Sequence, residues 1–383
     1  MERILHVLGS LDRGGAETRI LELYAEIDRA AVQFDFLVLT PGEHCYDADV
    51  AALGGRKFYA RHPRQHGALA NLRDMLRIMT REGPFRAVHA HTSYHSGLVL
   101  LAARLAGIPC RVVHARTTST SRPRSLPRRL SVSAGRLLIR TNATSLLAIS
   151  PEAARYVFGN RVCDSGRSTI VPNAINLTPY VELCEADSQE LRGLLAIPAN
   201  ALVLGCVGRF SPMKNQEFLL PVVRRLRAKG LDARLVLVGD GERRGLLEGM
   251  ARAQGVEHCV YFLGVRGDIA RLDRMFDVFV MPSLFEGLGG AAIEAQAAGT
   301  PCVLSTGLPP SSDMGLDLVR FLPVADAGAW AHAVLEQARL PRPRFDAVRR
   351  AFEDRGFTIA NEWRMYLAAY GFHEASTPAV ASH

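Results

Sequence analysis

The sequence predicts an α/β fold made of two tandem Rossmann-like domains that face each other across a cleft. Three observations lead to this prediction. Short apolar runs alternate with amphipathic segments along the chain, which is typical of parallel sheets with crossover helices. The chain has 383 residues, enough for two domains of ordinary size. A turn-rich stretch at residues 172–176 interrupts the alternation, which then begins again.

The first half of the chain alternates between strand and helix patterns. Apolar runs bounded by turn residues predict strands at residues 3–9, 34–39, 56–59, 86–90, 110–114, 145–149 and 168–171. Apolar residues at helical spacing predict helices at residues 15–28, 68–81, 95–106, 126–141 and from Pro151 onward. The last of these strands ends at Pro172-Asn173, so we predict a first domain of residues 1–173.

The second half repeats the alternation and predicts a second domain of residues 174–355. The predicted strands are residues 201–207, 234–238, 259–263, 277–281, 301–305 and 319–322. The predicted helices are residues 215–229, 242–254, 267–275, 290–298 and 326–339. Residues 356–383 form a third segment, with an amphipathic helix at 358–370 and a tail after Phe372 that we expect to be disordered.

The composition is that of a soluble globular protein, with 48% hydrophobic and 22% charged residues. No apolar run is long enough to cross a bilayer. The first residues lead directly into a strand pattern, so we expect no signal peptide. The seven cysteines are scattered without a Cys-x-x-Cys pair, which predicts reduced thiols in a cytosolic protein.

The net charge of +8 is unevenly distributed. Residues 1–173 hold 24 of the 46 basic and 14 of the 38 acidic residues, so the excess of positive charge lies in the first half. No Asp or Glu occurs between Gly83 and Pro151. That stretch contains Arg86, Arg104, Arg111, Arg116, Arg122, Arg124, Arg128, Arg129, Arg136 and Arg140. A stretch with this excess of positive charge attracts polyanions or an anionic membrane surface.

The most informative segment is Pro282–Ala295, which follows the predicted strand 277–281. It carries Glu286 and Glu294 eight positions apart across a glycine-rich turn. A glycine turn that opens a helix is an anion site, because free N–H groups and the helix dipole converge there. The two carboxylates suit hydroxyl groups on either side of the anion, and this pattern describes a nucleotide-sugar. The alternative is a βα turn with two solvated glutamates.

This segment resembles the donor-site signature of the retaining glycosyltransferases of family four, which have the GT-B architecture. Leu288 replaces the usual aromatic residue, and Gly290 replaces a larger apolar one. The resemblance implies that Glu286 binds sugar hydroxyls of the donor and that Glu294 binds the ribose. It also implies that the diphosphate binds the turn and the N–H groups of the helix start, namely Gly287, Gly289, Gly290 and Ala291.

The loop after strand 201–207 contains two cations, Arg209 and Lys214. It resembles the Gly-Arg…Lys-Gly loop of the same family, with Gly208 before the arginine and Asn215 at the second glycine. Cations here would stabilise the charge that develops on the leaving phosphate. The alternative is a pair of solvated cations. The family pattern also predicts that Gly239 admits the nucleotide and that the backbone of Val265 meets the base.

In the first domain, Gly14 and Gly15 link a strand to a helix and resemble a Gly-Gly-Ala-Glu loop of the family. We expect this loop to face donor phosphate and acceptor. The dinucleotide fingerprint Gly-x-Gly-x-x-Gly does not occur, which argues against a dehydrogenase. We predict a catalytic position for His91, at a strand end. Arg116 aligns with the histidine that touches the reacting sugar in many members. We predict no metal site.

The arginine-rich segment 116–140 has three interpretations: contact with anionic lipid, binding of an anionic acceptor, or a solvated helix face. Leu126, Leu130, Leu137 and Leu138 give it an apolar stripe, which favours an anionic membrane surface. No aromatic or helix-turn-helix pattern suggests nucleic-acid binding.

The sequence thus predicts a retaining, metal-independent glycosyltransferase that needs no cofactor. Its substrates would be a UDP- or GDP-linked sugar and a saccharide or lipid-linked acceptor of a cell-surface polysaccharide or glycolipid pathway. We expect it in the cytoplasm, peripheral at the inner face of the membrane. The alternatives are a nucleotide-sugar epimerase on the same fold and a non-catalytic membrane-associated scaffold.

Overall fold

The computed structural model describes residues 1–117 and 125–372. The chain forms two compact units. Unit 1 comprises Met1–Ala174 together with the chain from Gly356 onward, and unit 2 comprises Ile175–Arg355. Each unit contains one parallel sheet with helices between the strands, so the predicted α/β class is confirmed.

The sheet of unit 1 has seven strands in the order β3-β2-β1-β4-β5-β6-β7. Each pair of neighbours is parallel. The strands are β1 (Glu2–Leu8), β2 (Val32–Val38), β3 (Lys57–Tyr59), β4 (Ala87–Ala90), β5 (Cys110–Ala115), β6 (Ser145–Ala148) and β7 (Ser168–Ile170). The chain runs outward from β1 in both directions. The carboxyl ends of β1 and β4 are therefore the topological switch point of this sheet.

In the described part of the chain, eight helices lie between Met1 and Ala174. They are α1 (Gly15–Glu26), α2 (Asp47–Ala52), α3 (Pro63–His66), α4 (Ala68–Arg81), α5 (Ser96–Leu105), α6 (Leu126–Asn142), α7 (Pro151–Phe158) and α8 (Asn160–Asp164). A 3-10 turn at Ser93–His95 leads into α5. The start of α7 shows the local chemistry, since the Ser150 hydroxyl accepts from the Ala153 N–H at 3.2 Å and Pro151 occupies the first turn.

The sheet of unit 2 has six strands in the order β10-β9-β8-β11-β12-β13. They are β8 (Leu202–Val207), β9 (Ala233–Val238), β10 (Val260–Phe262), β11 (Val278–Met281), β12 (Cys302–Ser305) and β13 (Val319–Leu322). All neighbours are parallel. The topological switch point lies between β8 and β11, because the chain leaves β8 toward β9 and later returns to its other side.

The helices of unit 2 are α9 (Thr178–Val181), α10 (Glu185–Leu194), α11 (Leu219–Ala228), α12 (Arg244–Ala253), α13 (Ile269–Met275), α14 (Gly290–Ala297), α15 (Ala327–Gln337) and α16 (Phe345–Asp354). The sequence analysis did not assign α16, although its apolar face buries Val348 and Phe352. Gly299 follows the end of α14 with a left-handed φ of 70°, as its position predicts.

The final helix, α17 (Ile359–Ala369), belongs to unit 1. It buries Trp363 and Tyr366, together with the following Tyr370, against the core beside β1 and β2. The guanidinium of Arg86 donates to the carbonyl oxygen of Tyr370 at 2.9 Å, which ties the end of this helix to the start of β4. The predicted tail after Phe372 lies outside the described residues.

The bulk predictions can be compared with the described ranges. In residues 1–117 and 125–372, no helix is both long and apolar enough to cross a bilayer. All seven cysteines are free thiols, and Cys206, Cys259 and Cys302 are buried. Arg122 and Arg124 of the arginine-rich segment lie outside the described residues.

Candidate functional site

The candidate site of unit 2 lies at the carboxyl edge of its sheet, where β8 and β11 end beside each other. The loop after β11 carries Glu286, whose backbone N–H donates to the carbonyl oxygen of Gly307, after β12, at 3.0 Å. The N–H of Leu284 donates to the carbonyl oxygen of Met213, after β8, at 2.8 Å. The loop that carries Glu286 is thus held from both sides.

An ion pair connects the loops after β8 and β11. Lys214 Nζ lies 2.7 Å from Glu286 Oε1, and the two side chains are 25% and 14% exposed. The next residue, Asn215, has a left-handed φ of 52°, and its side-chain amide donates to the carbonyl oxygen of Pro282 at 3.3 Å. Asparagine tolerates this conformation, which explains how it replaces the glycine of the resembling family. The structure therefore brings Lys214 and Glu286 together.

The helix α14 begins at Gly290, directly after this loop. Gly289 has a left-handed φ of 77°, and a Cβ there would lie 2.7 Å from Leu308 Cδ2. The Ser312 hydroxyl donates to the Leu288 carbonyl oxygen at 2.7 Å, which fixes the turn from the other side. The first N–H groups of a helix have no partner within the helix, so this rigid turn can bind an anion.

The other predicted residues of this loop follow from the same geometry. Ala291 is the second residue of α14, so its N–H belongs to the first turn. Glu294 lies in the middle of the helix and is half-buried. Gly287 is half-buried in the turn between Glu286 and the helix. The two glutamates thus lie on either side of the helix start, as their spacing predicts.

The contacts of Arg209 differ from the predicted arrangement, in which Arg209 and Lys214 both reach one phosphate. Its guanidinium lies 3.2 Å from Glu242 Oε2, and its side chain is 75% exposed. Lys214 pairs with a different glutamate, so in this structure the two cations have separate partners. Glu242 follows β9, and the sequence analysis did not assign it a role.

Three strand ends meet around Gly239. Its φ is 129°, and a Cβ there would lie 2.2 Å from the carbonyl oxygen of Gly208. Its N–H donates to the carbonyl oxygen of Gly264 at 2.7 Å. Any side chain at position 239 would therefore push β8 and β9 apart. Val265 follows Gly264 with its side chain 58% exposed, at the end of β10.

In unit 1, the predicted loop leads from β1 into α1. Gly14 is the N-cap of α1 and Gly15 its first residue. A Cβ at Gly14 would lie 2.4 Å from Glu17 Oε2, whereas nothing approaches that position at Gly15. Burial raises the pKa of the Glu17 carboxyl. The start of α1 is therefore already occupied by an acidic side chain.

His91 and Arg116 lie together in unit 1, but they are buried rather than presented at the surface. Each residue is 9% exposed. Arg116 Nε donates to His91 Nδ1 at 3.1 Å, and His91 Nε2 then donates to His6 Nδ1 at 3.1 Å. The guanidinium also bonds the Asn173 side chain and the Tyr366 hydroxyl. The catalytic position of His91 and the contact of Arg116 with the reacting sugar stay predictions.

The surrounding residues form a buried histidine cluster, to which β1 contributes a histidine that was not among the candidate residues, His6. Its members are His6, His89, His91 and His114. His89 Nδ1 lies 2.7 Å from the Tyr370 hydroxyl, and His114 Nδ1 lies 3.1 Å from the Tyr366 hydroxyl. His6 and His89 are paired in register on adjacent strands. A histidine inside each of three apolar strands is the signal that could have revealed the cluster.

The same cluster contains one geometric candidate for a metal site in the described ranges. His6, His89 and His91 each offer a nitrogen within 4.8 Å of the others. Both ring nitrogens of His91 already have hydrogen-bond partners, and one of them is a guanidinium. A cation beside Arg116 would be repelled, so these residues do not form a favourable metal site.

Burial sets the charge of these histidines. Burial, together with the positive charge of Arg116, lowers the pKa of His6 to about 3 from its ordinary 6.5. Burial also holds the pKa values of His89, His91 and His114 well below the ordinary value. The histidine cluster is therefore neutral near pH 7.

Two family models match the chain. Residues 14–174 match a glycosyl transferase 4-like domain, and residues 201–339 match the group 1 glycosyl transferases. The glycosyltransferase EpsF of Bacillus subtilis is 39% identical over 96% of each chain. The Escherichia coli UDP-Gal:alpha-D-GlcNAc-diphosphoundecaprenol alpha-1,3-galactosyltransferase is 28% identical over 62% of each chain.

Solved structures share the fold. HepE of Anabaena in complex with UDP has a TM-score of 0.78 at 18% identity, over 97% of this chain and 100% of that one. The complex of HepE with UDP-glucose has a TM-score of 0.76 at 19% identity, over the same shares of the two chains. The fold of two Rossmann-like units in one chain is thus confirmed, and solved structures share it.

The histidine cluster predicts that unit 1 loses stability in acid. Below pH 6.5 the unfolded chain binds protons on these histidines that the folded chain does not. Above that pH these histidines do not lower the free energy of unfolding. Below it, each buried histidine lowers the free energy of unfolding by about 1.4 kcal/mol per pH unit. Urea unfolding between pH 5 and 7, followed by Trp363 fluorescence in a Trp330→Phe background, measures this slope.

The variant His6→Phe should remove one histidine's share of the slope, whereas His66→Gln, at an exposed position of the same unit, should leave it unchanged. The half-buried Glu17 and Glu22 titrate in the opposite sense because partial burial raises the pKa of each carboxyl. They are present in every variant, so the difference between variants isolates the histidine. Equal slopes for His6→Phe and the parent would contradict the buried, neutral cluster.

Proposed function

The chain belongs to the group 1 glycosyltransferases of family four, and from this premise we propose a retaining, metal-independent enzyme that uses a UDP-linked sugar. Its acceptor is a saccharide or a lipid-linked saccharide of cell-surface polysaccharide or glycolipid synthesis. The relatives are glycosyltransferases, which does not favour the alternatives of an epimerase or a non-catalytic scaffold.

The observation that carries this proposal is the Lys214–Glu286 pair beside the start of α14. The helix start offers N–H groups to a diphosphate, and Lys214 offers a cation within reach of the same anion. Glu286 offers a carboxylate to the hydroxyl groups of the transferred sugar. When the donor binds, we expect Lys214 to exchange part of its contact with Glu286 for the leaving phosphate, where negative charge develops.

The remaining donor contacts follow from the positions of the residues. Glu294 would bind the ribose, and the exposed end of β10 at Val265 would meet the base through its backbone. Gly208 lies against the Lys214 side chain, and Gly239 packs on the Gly208 carbonyl oxygen, so both glycines let the loops after β8 and β9 approach closely. Arg209, which is 75% exposed, is free to move from Glu242 to a phosphate oxygen at small cost because exposed ion pairs are weak.

The choice of UDP and of metal independence has separate support. HepE, which shares the fold, has been crystallised with UDP, UDP and glucose, and UDP-glucose. The Escherichia coli relative is named for UDP-galactose. Lys214 and Arg209 supply the positive charge that a divalent cation supplies in other phosphate-transfer sites. The acceptor side of the reaction would lie on unit 1, near the loop of Gly14 and Gly15.

We also propose that the enzyme works in the cytoplasm, at the inner face of the membrane. The helix α6 carries exposed Leu126, Leu130 and Leu137 among arginines. Apolar side chains with neighbouring arginines suit an anionic lipid surface. A lipid-linked acceptor would be reached from such a surface.

We expect Lys214→Ala and Glu286→Ala to reduce sugar transfer roughly 100-fold or more, because each removes a contact made in the transition state. Transfer of radiolabelled sugar from UDP-glucose or UDP-galactose into a membrane extract measures the effect, and NMR of the product gives its anomeric configuration. The control Lys229→Ala removes an exposed lysine of the same unit and should retain activity. Full activity of both site variants, or an inverted product, would refute this mechanism.

Metal independence predicts that EDTA leaves the rate of transfer unchanged. The measurement compares initial rates in metal-free buffer with and without EDTA, and after addition of Mg²⁺ or Mn²⁺. The cations that stabilise the leaving diphosphate are side chains, so chelation removes nothing that the reaction needs. A strong loss of activity on chelation that metal addition restores would overturn this part of the proposal.

Membrane contact predicts that replacing two arginines of α6 weakens binding to vesicles. The double variant Arg129→Ala, Arg140→Ala should bind phosphatidylglycerol vesicles about 30-fold more weakly at low salt, since each arginine near the surface adds about 1 kcal/mol. The control Arg224→Ala, Arg225→Ala makes the same change in net charge on α11 of unit 2. Equal binding by both double variants would exclude a specific role for α6.

A further inference from the structure

A cavity of about 860 Å³ lies in unit 1, beside the start of α6. Its described walls come from α3, α4, the turn Ser93–His95, α5, α6 and α7. None of the donor-side residues lies in it, because all of those belong to unit 2. Its volume is that of pockets that hold small organic ligands.

One wall of the cavity is built rigidly. The Tyr94 hydroxyl donates to the carbonyl oxygen of Tyr156 at 2.8 Å, and Arg136 Nη2 donates to the same oxygen at 2.7 Å. Helices α5 and α6 touch through glycines, since a Cβ at Gly97 would lie 2.5 Å from the carbonyl oxygen of Gly135. The cavity is therefore bounded by elements that pack closely, and it does not depend on a single side chain.

The lining combines cationic, hydroxyl and apolar groups. Arg64 and Arg128 line the cavity, and in the part of the chain that the structure describes neither guanidinium takes part in an ion pair. Leu98, Val132 and Leu138 supply an apolar surface. Among the described residues that line the cavity, none is Asp or Glu.

His95 also lines the cavity, but it adds no charge to the lining near pH 7. His95 Nε2 lies 2.8 Å from the Asn71 side-chain oxygen, and burial lowers the pKa of the ring to about 4. The ring is therefore neutral near pH 7, and it donates to Asn71. The arginines remain the charged groups of the described lining, so the cavity favours a ligand with an anionic part and an apolar part.

The location connects the cavity with the reaction. Thr92 and Ser93 line it and directly follow His91, at the carboxyl end of β4. The loop of Gly14 and Gly15 follows β1, the neighbour of β4, at the same edge of the sheet. A ligand in the cavity would thus lie beside the switch point of the unit 1 sheet.

We propose that this cavity binds the phosphate-linked isoprenoid end of a lipid-linked acceptor, with Arg64 and Arg128 contacting the phosphate and the apolar wall contacting the first isoprene units. The inference rests on the proposed function and adds a subsite to it. Guanidinium groups bind phosphate through two N–H donors, which suits a diphosphate more than a neutral lipid.

Farnesyl diphosphate is a suitable probe, because it joins a diphosphate to a short isoprenoid chain. Binding is measured by titration calorimetry with saturating UDP present, so that the donor site is filled. We expect Arg128→Ala to weaken binding about tenfold or more, as for the loss of a charge-assisted hydrogen bond. The matched control Arg73→Ala removes an exposed arginine of α4 that does not line the cavity, and should bind like the parent.

A second pair of variants tests the volume. Ser131→Trp fills the cavity and should abolish binding, whereas Ser133→Trp places the same ring at an exposed position of α6 outside the cavity. Thermal unfolding checks that both variants are folded. Inorganic diphosphate and farnesol, tested separately, should each bind more weakly than farnesyl diphosphate.

The outcomes separate this inference from the proposed function. Binding of UDP by every variant, with farnesyl diphosphate lost only in the cavity variants, supports both. Binding of UDP without any binding of farnesyl diphosphate, or equal binding by Ser131→Trp and Ser133→Trp, overturns the cavity assignment alone. Arg128→Ala is also tested on phosphatidylglycerol vesicles. If the substitution weakens binding to the vesicles as much as it weakens binding of farnesyl diphosphate, the cavity binds bulk lipid and is not an acceptor site.

Discussion

The ion pair between Lys214 and Glu286 depends on one constraint of the fold: parallel strands all end at the same edge of their sheet. Two strands and three crossover helices separate β8 from β11 in the chain, yet the two strands are neighbours in the sheet. The loops that follow them therefore meet. A cation, a carboxylate and a helix start converge at this edge because of the strand order, and no local sequence feature could bring them together.

The turns at this edge tolerate little change. Gly239 and Gly289 both have positive φ values, and a Cβ at either would meet atoms of a neighbouring loop at less than 3 Å. Gly239 lets the loop after β9 approach the Gly208 carbonyl oxygen, and Gly289 leaves room for the Leu308 side chain. The two turns hold the few polar groups at this edge of the sheet in fixed positions.

The sequence predicts the candidate site of unit 2 well because the residue patterns that indicate it are local. The strand before Glu286, the glycine turn and the spacing to Glu294 are all readable in one segment, and the helix follows at Gly290 as predicted. The ion pair of Arg209 was harder to predict, because its partner Glu242 lies on the loop that follows another strand, β9. The short helix α8 and the helix α16 were not assigned, since their stabilisation comes from packing rather than from strong propensity.

His91 illustrates the limit of prediction from a strand end. Its position after β4 suggested exposure, but Arg116 and His6 enclose it through contacts between residues far apart in the chain. Only the folded sheet aligns His6 with His89 and places β5 beside them. A polar residue in an apolar strand predicts that a buried partner exists, yet the partner's identity depends on strand order.

The same network explains how a charge can be buried in unit 1. The Arg116 guanidinium lies 3.4 Å from Glu362 Oε1, and the Glu362 carboxylate also accepts from the Tyr366 hydroxyl and the Ala174 N–H. A buried ion pair is tolerated only when its remaining donors and acceptors are satisfied, and here neutral histidines and phenols satisfy them. Helix α17 supplies both Glu362 and Tyr366, so the end of the chain is required to neutralise an arginine at the end of β5. The polar interior of unit 1 therefore links helix α17 to the edge of the sheet where the loop of Gly14 and Gly15 lies.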